Sequence, residues 1–258
     1  CNLHCKFCQN WKYSQANEVD ITSFVEYSPE KVIEKCKEMN VDLICWTFND
    51  PIIWYEFVLD TSKLAKEAGI TSLYKSSHII SIEALENLCE SVDVFSVSLK
   101  AIKEEFYKEH CAGWIEPVKD ALKYLYSRKD KHMEVSNLVI PETNDSPEDV
   151  KELVSWVLEN LDNTVPLHFV RYHPDYKFTI PRTPEETVMK ARDIAKEMGM
   201  KHVYVGNVFA SEGLNTFCSN CGEMLIEREG HRVNFSEHLN RQECLCTKCE
   251  SSLERMIF

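Results

Sequence analysis

The 258-residue sequence has no run of 18 apolar residues, and no basic segment followed by an apolar stretch stands at its start. A membrane-spanning helix needs about 20 apolar residues and a secretory signal needs the second pattern, so neither is predicted. Positive charge is also scarce. The sequence has 29 lysines and arginines and 42 acidic residues, which gives a net charge of −13. Proteins that bind nucleic-acid backbones are normally basic. We therefore expect no nucleic-acid partner, no membrane partner and a cytoplasmic location.

Glycine is rare, with seven residues, whereas cysteine is abundant, with twelve. Four of the glycines fall between residues 206 and 230, three of the cysteines in the first eight residues and five in the last 41. In a chain without a visible secretion signal, cysteines are more often metal ligands or core residues than disulfides. The uneven distribution predicts two metal sites, one at each end of a scaffold.

Alternating strand and helix patterns fill the chain between the two cysteine groups. Apolar, β-branched runs predict six strands, at Val41–Phe48, Ile70–Tyr74, Val92–Leu99, Met133–Ile140, Val165–Val170 and His202–Val205. Intervening helices are predicted to begin after Ser28, Ser146 and Thr183, each of which precedes a proline, and to end near Gly69 and Gly199. Repeated β-α units imply parallel strands in a barrel, a partial barrel or an open sheet, with ligands at the carboxyl ends of the strands.

A cysteine-rich segment follows the point where this pattern stops. We expect a body over residues 1–205 and a small, loop-rich appendage over residues 206–258. Two C-x2-C pairs in the appendage are Cys218 with Cys221 and Cys246 with Cys249. They predict a closed site of four thiolates, which favours structural zinc over a rubredoxin-like iron. Cys244 is a fifth cysteine in this segment beyond the four predicted ligands. It is an alternative ligand to Cys246 if the second pair of ligands is chosen in a different register. The isolated cysteines are expected in the core: Cys36, Cys45, Cys89 and Cys111.

The first eight residues carry three cysteines, Cys1, Cys5 and Cys8, in the spacing C-x3-C-x2-C. A short loop with this spacing can wrap three thiolates around one iron–sulfur cube. Because a [4Fe–4S] cluster normally takes four protein thiolates, three ligands leave one iron open for a ligand that is not protein. The alternative is zinc, with His4 as a fourth ligand.

The string CNLHCKFCQNWKYSQ at residues 1–15 has an aromatic residue, Phe7, just before its third cysteine. It resembles the signature of the radical S-adenosylmethionine (radical SAM) enzymes. It is most similar to the radical SAM protein of the AmmeMemoRadiSam system, a relative of the pyruvate formate-lyase-activating enzymes. The likeness continues through WTFNDP (46–51), SLKAIKEEFY (98–107), LVIPETNDS (138–146), HFVRYHPDYK (168–177), YVGNV (204–208) and NTFCSNCG (215–222).

This resemblance implies an α/β fold, a partial (β/α)6 barrel of TIM-like type, with a [4Fe–4S] cluster near its open face. It also implies S-adenosylmethionine bound to the unique iron and a single-electron reductant such as flavodoxin or ferredoxin. The resulting 5′-deoxyadenosyl radical abstracts hydrogen from a substrate that the sequence leaves open, either a protein or a small molecule. Family members carry a strand before the cysteine loop, so we expect that the sequence is a truncated form.

Residues that follow the predicted strands are the expected cofactor contacts. With Phe7 of the cysteine loop, the resemblance assigns this role to Asn49, Asp50, Ser76, Ser98 and Lys100. Asp50 stands where this branch more often has the glutamate of Asn-Glu-Pro, and its alternative role is a helix-capping acid. Ser98 replaces an aspartate of the family pattern. Lys100 can pair with the carboxylate of the cofactor, and its alternative is a solvated lysine.

Arg171 and His173, at the end of the fifth predicted strand, are the expected catalytic residues, because they offer a fixed cation and a titratable imidazole. The function expected from the resemblance is radical SAM chemistry on an unidentified substrate. A narrower alternative is a glycyl-radical-enzyme activase of the pyruvate formate-lyase-activating type. An alternative from another class is a non-catalytic zinc-binding interaction module.

Overall fold

A computed structural model gives the structure of this chain. The structure describes residues 1–15, 22, 25–209, 212–253 and 255. Two compact units divide the chain. The first unit holds Cys1–Leu99, Lys103–Met133 and Pro174–Thr179. The second unit holds Lys100–Ile102, Glu134–His173 and Ile180–Phe258. The expected division at residue 206 falls inside the second unit and stays a prediction.

Six strands follow one another in chain order in a six-stranded sheet. They are β1 (Leu43–Trp46), β2 (Thr71–Ser76), β3 (Val94–Ser98), β4 (His132–Val139), β5 (Leu167–Arg171) and β6 (Val203–Gly206). Pairing is parallel from β1 to β3 and again from β4 to β6. All six predicted strands are present, with ends shifted by up to a few residues. The α/β prediction of parallel strands in βα units is confirmed.

Helices precede or follow these strands as the sequence pattern predicts. They are α1 (Trp11–Ser14), α2 (Pro29–Glu38), α3 (Tyr55–Glu67), α4 (Ile82–Cys89), α5 (Glu104–Phe106), α6 (Glu116–Ser127), α7 (Pro147–Asn160) and α8 (Glu185–Glu197). Ser28 and Ser146 cap α2 and α7, because each side-chain oxygen accepts a hydrogen bond from a backbone N–H of the first turn. Gly69 and Gly199 follow the ends of α3 and α8 with φ of +71° and +103°, a conformation that glycine adopts readily.

Thr183 does not cap α8, so that prediction is wrong. Pro184 occupies the position before the helix, and no side chain caps this end. Thr183 is instead fully buried. Its Oγ1 donates a hydrogen bond to the carbonyl of Val139 at 2.6 Å and accepts one from the N–H of Tyr172 at 3.3 Å. The hydroxyl group therefore joins two strand ends of the second unit.

The isolated cysteines follow the core prediction with one exception. Cys36, Cys89 and Cys111 are buried, whereas Cys45 is exposed. Side chains alternate between the two faces of a strand. In β1 the side chain of Trp46 is buried, so its neighbour Cys45 lies on the open face. The prediction of a core position is therefore wrong for Cys45.

Two small antiparallel sheets form the end of the second unit. One contains β7 (Thr216–Phe217), β8 (Met224–Glu229) and β9 (Arg232–Phe235), and the other contains β10 (Leu239–Asn240), β11 (Leu245–Cys246) and β12 (Ser251–Ser252). The two sheets share a small core, which consists of the buried residues Cys218, Leu225, Ile226, Leu239, Cys246 and Leu253. Among the helices that the structure describes, none is long and apolar enough to cross a membrane.

Candidate functional site

The N-terminal cysteine loop is fixed by backbone hydrogen bonds to a neighbouring helical turn. Residues Tyr107–Cys111 continue α5 as a single π-helical turn. The N–H groups of His4 and Lys6 donate to the carbonyls of Cys111 and His110, at 2.9 and 2.8 Å. π-Helical turns are rare and recur at functional sites. Here the turn presents two carbonyls to the segment that carries the thiols.

Gly113 permits the close approach of this loop. A Cβ atom at Gly113 would lie 2.4 Å from Cδ2 of Leu3, which is buried beneath the loop. Because heavy atoms cannot approach so closely, any larger residue at this position must displace Leu3. Gly113 is therefore needed because a side chain does not fit at this position, and not because its backbone has a positive φ. The sequence pattern did not predict this role.

Polar side chains form a hydrogen-bonded series next to Cys8. The hydroxyl of Ser14 lies 3.2 Å from the thiol of Cys8 and accepts a hydrogen bond from Nε2 of Gln15. Oε1 of Gln15 lies 2.8 Å from Nδ1 of His4. One ring nitrogen of His4 is therefore occupied by a protein partner. The second cysteine of the loop, Cys5, is buried, and Cys1 and Cys8 are half-buried.

Phe7 is buried, and other aromatic rings surround it. Its ring centroid lies 5.8 Å from that of Phe106 and 5.7 Å from that of Phe178. The ring of His110 touches the same two phenylalanines, at 5.1 and 5.2 Å. Phe7 thus anchors the loop to an apolar cluster. Its role as a cofactor contact stays a prediction.

The segment Pro174–Thr179 also belongs to the first unit and lies against the cysteine loop. The N–H of Lys177 donates to the carbonyl of Lys6 at 3.0 Å. Nε1 of Trp11 donates to Oδ1 of Asp175 at 3.0 Å, and the Trp11 ring stacks on Tyr176 at 5.3 Å and 18°. The motif HFVRYHPDYK overlaps this segment as far as Lys177, but no local sequence pattern indicates what the segment contacts.

Asp50 lies in the loop that follows β1, and its carboxylate accepts four hydrogen bonds. Its Oδ1 accepts a hydrogen bond from the hydroxyl of Ser76 at 2.7 Å, and its Oδ2 accepts from the N–H of Ser77 at 2.8 Å and from the Ser77 hydroxyl. Oδ1 also accepts from the N–H of Ile52 at 3.4 Å. The capping role is therefore present, together with two serine contacts. Ser77 was not singled out from the sequence.

The cysteine loop is hydrogen-bonded to the segment that follows β2. Nδ2 of Asn2 donates to the carbonyl of Ile79 at 3.0 Å. The first unit brings together the predicted cluster ligands and the predicted contacts Asp50 and Ser76.

His78 is a buried acceptor beside this carboxylate. Its Nδ1 lies 3.0 Å from the carbonyl of Ser76, and its N–H donates to the Ser76 hydroxyl at 2.9 Å. A carbonyl only accepts, so Nδ1 carries the proton and Nε2 presents a lone pair. Among the described residues, Nε2 has no hydrogen-bond partner. Burial lowers the pKa of His78 to about 4, so the ring is neutral.

His78 also adopts an unusual backbone conformation, with φ of +54°. Residues other than glycine rarely occupy this region, although asparagine, aspartate and histidine do so more often than the rest. Phe48, just before Asn49, has φ of +79° and an exposed side chain. Asn49 accepts a hydrogen bond from Nε1 of Trp54 at 3.0 Å and donates to the carbonyl of Tyr13 at 3.5 Å. Both strand ends of the predicted cofactor region thus carry strained backbone.

Ser98 ends β3 in the first unit, whereas Lys100 belongs to the second. The carbonyl of Lys100 accepts hydrogen bonds from Nδ2 of Asn137 at 3.1 Å and of Asn144 at 2.8 Å. Asn144 also accepts from the N–H of Ile140 at 2.7 Å and so fixes the turn that follows β4. The cofactor roles of Ser98 and Lys100 stay predictions.

Arg171 and His173 end β5 in the second unit, as predicted. Nε of Arg171 donates to the carbonyl of Thr183, and its Nη1 lies 3.8 Å from Oε2 of Glu185. The carbonyl of Arg171 accepts from Nδ2 of Asn207 at 3.0 Å. These contacts hold the guanidinium in place within its own unit. The catalytic roles of Arg171 and His173 stay predictions.

The four cysteines of the two C-x2-C pairs converge in the second unit. All four sulfurs lie within 4.8 Å of one another. Cys218 and Cys249 approach to 3.6 Å, and Cys221 and Cys246 to 3.8 Å. Sulfurs bound tetrahedrally to zinc at 2.3 Å stand about 3.8 Å apart, so the donor set fits one such ion. Cys244 lies outside the group, with its thiol 3.6 Å from the carbonyl of Arg241.

Neighbouring side chains favour a thiolate at one of the four cysteines. The pKa of Cys249 is lowered to about 6, chiefly by its hydrogen bond with the hydroxyl of Ser251 and then by Asn220. Burial raises the pKa of Cys246. Within the described part of the chain, the three N-terminal thiols do not form a comparable single-ion group. Three thiolates on one loop are the donor set expected for an iron–sulfur cube, in which each thiolate binds a different iron.

A known family matches the part of the chain that carries the N-terminal cysteine loop. The radical SAM superfamily domain matches residues 1–157. An uncharacterized protein of Methanocaldococcus jannaschii, MJ0808, is 40% identical over 229 residues, which are 88% of this chain and 67% of that protein. This chain therefore spans about two thirds of the length of that relative.

Two solved structures share the fold at low identity. Streptococcus suis SuiB bound to its precursor peptide SuiA has a TM-score of 0.62 and 15% identity over 81% of this chain and 47% of SuiB. A domain of the pyruvate-formate lyase-activating enzyme from Bacteroides vulgatus has a TM-score of 0.56 and 14% identity over 64% of this chain and 98% of that domain. With its cysteine loop, its parallel sheet and the matched domain, the chain belongs to the radical SAM superfamily.

Proposed function

We propose that this chain is a radical SAM enzyme in which Cys1, Cys5 and Cys8 hold a [4Fe–4S] cluster. The observation that carries the proposal is the triad of thiols on a loop with fixed backbone, beside the buried polar group of Asp50, Ser76 and Ser77. When bound, the cluster and S-adenosylmethionine supply a 5′-deoxyadenosyl radical that abstracts a hydrogen atom from substrate. Three protein ligands leave room for the amino and carboxylate groups of the cofactor.

The residues of this chain contribute orientation and exclusion of water. Asp50 is held by four donors, counting the N–H of Ile52, so its carboxylate has one fixed position. His78 offers one buried lone pair at Nε2, which suits a hydrogen-bond donor on a bound ligand or a bound water. A neutral ring at this place adds no charge to the site. Such preorganised groups orient a reactive cofactor without moving during the reaction.

We assign the C-terminal group to a structural metal ion, with zinc as the expected metal. Four thiolates fill a tetrahedral site and leave no open position, so the ion stabilises the chain instead of reacting. The small core of two short sheets supports this assignment, because so few apolar residues give little stability without a metal. A rubredoxin-like iron has the same donor set, and metal analysis distinguishes the two.

The substrate class stays open between a protein and a small molecule. The AmmeMemoRadiSam assignment and the activase alternative rest on the sequence resemblance. The similarity to a domain of the activating enzyme from Bacteroides vulgatus, at 14% identity, supports a common fold. No contact among the described residues favours an activase over another radical SAM reaction.

Anaerobic reconstitution tests the proposed function. We expect about four irons and four sulfides per chain at the N-terminal site, and 5′-deoxyadenosine after addition of S-adenosylmethionine and dithionite. Cys5→Ala is expected to abolish both. Cys36→Ala is the matched control, because Cys36 is a buried cysteine in α2 that is remote from the loop in sequence.

Two results contradict the proposal. The first is equal 5′-deoxyadenosine formation by the wild type and Cys5→Ala. The second is a protein that takes up zinc only, which supports the zinc-binding interaction module instead.

A further inference from the structure

An arginine on β8, Arg228, connects the small sheets of the second unit to its parallel sheet. Its Nη1 donates to the carbonyl of Leu214 and to Oγ1 of Thr216, both at 2.9 Å. Its N–H donates to Oδ1 of Asn215 at 2.8 Å. Its guanidinium carbon lies 5.7 Å from the ring centroid of Tyr204 on β6. Arg228 therefore contacts both the segment that leads into the first C-x2-C pair and a strand of the parallel sheet.

Tyr204 completes this contact from the side of the parallel sheet. Its hydroxyl lies 3.1 Å from Oγ1 of Thr216, which is buried. The ring of His168, its neighbour in the register of β5 and β6, stacks on it at 5.0 Å and 26°. Nε2 of His168 lies 2.9 Å from Oε2 of Glu134 on β4. Burial raises the pKa of Tyr204. We refer to Tyr204, Thr216 and Arg228 as the latch.

The latch is part of the same hairpin as two of the metal ligands. Thr216 precedes Cys218 by two residues and pairs with Ile226 across β7 and β8. Ile226 belongs to the buried core that includes Cys218 and Cys246. Arg228 follows Ile226 by two positions on β8, so both side chains lie on the same face of the strand. The position of Arg228 relative to Thr216 thus depends on the pairing of β7 with β8.

This pairing has little to stabilise it without a metal ion. The core shared by the two small sheets has six buried residues, and two of them are metal ligands. A core of this size contributes little stability by itself. In small modules of this kind, the free energy of metal binding is also the free energy of folding. We therefore expect the geometry of the latch to depend on the metal.

We propose that the two small sheets are docked on β6 through the latch only while their four cysteines hold a metal ion. The inference rests on the metal assignment made under the proposed function and is independent of the N-terminal cluster. Loss of the ion is expected to release Arg228 and Thr216 and to leave Tyr204, beside His168, open to solvent. Because docking and metal binding stabilise each other, the coupling is reciprocal, and a weakened latch also weakens metal binding.

Metal affinity is the first test, because the latch residues are not among the four ligands. All proteins carry Cys5→Ala, so that the N-terminal loop keeps two thiols and competes weakly for zinc. Zinc titration against a chromophoric chelator is expected to give a Kd about tenfold higher for Arg228→Ala and for Tyr204→Leu, within the usual range of coupling between sites. The double variant is expected to bind zinc no more weakly than the weaker single variant, since both changes break one contact.

Arg232→Ala is the matched control for the affinity test. It removes an exposed arginine from β9, the strand next to β8, and changes the net charge by the same amount as Arg228→Ala. It is expected to bind zinc like the parent protein.

Solvent exposure of Tyr204 is the second test. In full-length chain labelled with 3-fluorotyrosine, the variant Tyr204→Phe identifies the fluorine signal of Tyr204. A soluble nitroxide is expected to broaden this signal about tenfold more strongly after a chelator removes zinc, because the ring loses its cover. Tyr172 is fully buried in the same unit, with its hydroxyl bonded to the carbonyl of Ile180, and its signal is expected to stay unchanged. Tyr13 is exposed and is expected to be broadened in both samples.

Three results overturn the proposal. The first is a zinc Kd that neither Arg228→Ala nor Tyr204→Leu changes. The second is equal weakening by Arg232→Ala, which makes the effect one of lost positive charge. The third is a Tyr204 signal that responds equally with and without zinc, or one that becomes exposed together with Tyr172, which assigns the change to unfolding of the whole unit. A chain that binds no metal at the four cysteines overturns the metal assignment itself, and metal analysis distinguishes that case from a bound metal without coupling.

Discussion

The N-terminal and C-terminal cysteine sites of this chain are built in opposite ways. The C-terminal site gathers four sulfurs within 4.8 Å from two turns, and short sheets around it share a core with its own ligands. The N-terminal site has three thiols on one loop, and that loop is fixed by the carbonyls of His110 and Cys111 and the N–H of Lys177. We expect a metal ion to organise the local structure of the C-terminal, closed site. The N-terminal, open site takes its structure from neighbouring elements, and its three thiolates leave one iron of the proposed cluster without a protein ligand.

Removing one ligand from each site tests this difference most strongly. Cys246→Ala is expected to lose the C-terminal metal and to lower the free energy of unfolding by several kcal/mol, because metal binding and folding of such modules are linked. Cys5→Ala is expected to lose iron and 5′-deoxyadenosine formation with a much smaller loss of stability. Metal analysis and thermal unfolding of both variants measure the contrast.

Cys244→Ala is the control for the C-terminal site, because Cys244 lies next to the four ligands and outside their group. It is expected to retain the metal and the wild-type melting temperature. Equal destabilisation by Cys246→Ala and Cys5→Ala would refute the contrast between the sites.

The second prediction concerns the pH dependence of the open site through His78. Its pKa is about 4 in the folded chain and about 6.5 when unfolded. Between pH 4 and pH 6.5 the ring of His78 is protonated in the unfolded state and neutral in the folded state. The free energy of unfolding therefore decreases as the pH falls from 6.5 toward 4. The slope reaches about 1.4 kcal/mol per pH unit, and the whole loss is about 3 kcal/mol.

His78→Asn isolates this contribution, since asparagine tolerates the φ of +54°. Chemical unfolding at several pH values is expected to give a flatter profile between pH 6.5 and 4 for the variant. The comparison uses the difference in slope, because acid also weakens the binding of any metal ion by thiolates, and does so equally in both proteins. Parallel profiles would show that His78 titrates normally in the folded chain.

The third prediction tests whether close packing between Gly113 and Leu3 holds the cysteine loop of the open site in position. Gly113→Ala places a methyl group 2.4 Å from Cδ2 of Leu3 and is expected to cost about 1–3 kcal/mol of stability. We also expect reduced iron content after reconstitution, because Leu3 lies within the cysteine loop. The double variant Leu3→Ala/Gly113→Ala is expected to recover iron content. A double variant that is no better than Gly113→Ala argues against a steric cause.

Local signals in the sequence were enough for much of this architecture. The six strands, the caps at Ser28 and Ser146 and the two cysteine groups follow from hydrophobic period, residue type and spacing. The failures depend on contacts between distant residues. Thr183 bonds to Val139, which is 44 positions earlier, and this partner displaced the expected cap.

The candidate site shows the same limit. Asp50 and Ser76 were predicted as contacts because they follow strands. The sequence did not predict that the N–H of Ser77 donates to Asp50 or that Nε2 of His78 is a buried acceptor. Their roles depend on loop conformations with positive φ or short polar contacts that spacing does not specify. Trp11 and its acceptor are 164 residues apart, so no local pattern connects them.

The last and smallest effect is expected for that pair. Trp11→Phe keeps a ring that can stack on Tyr176 but removes the N–H that donates to Asp175, which costs about 1 kcal/mol. Trp114→Phe changes an exposed tryptophan of the first unit and serves as the control. If one hydrogen bond accounts for the effect, Trp11→Phe/Asp175→Ala is no less stable than the more damaging single variant. Thermal unfolding and the rate at which the cluster absorbance decays in air measure the cycle, and fully additive losses would show that the pair acts independently on the open site.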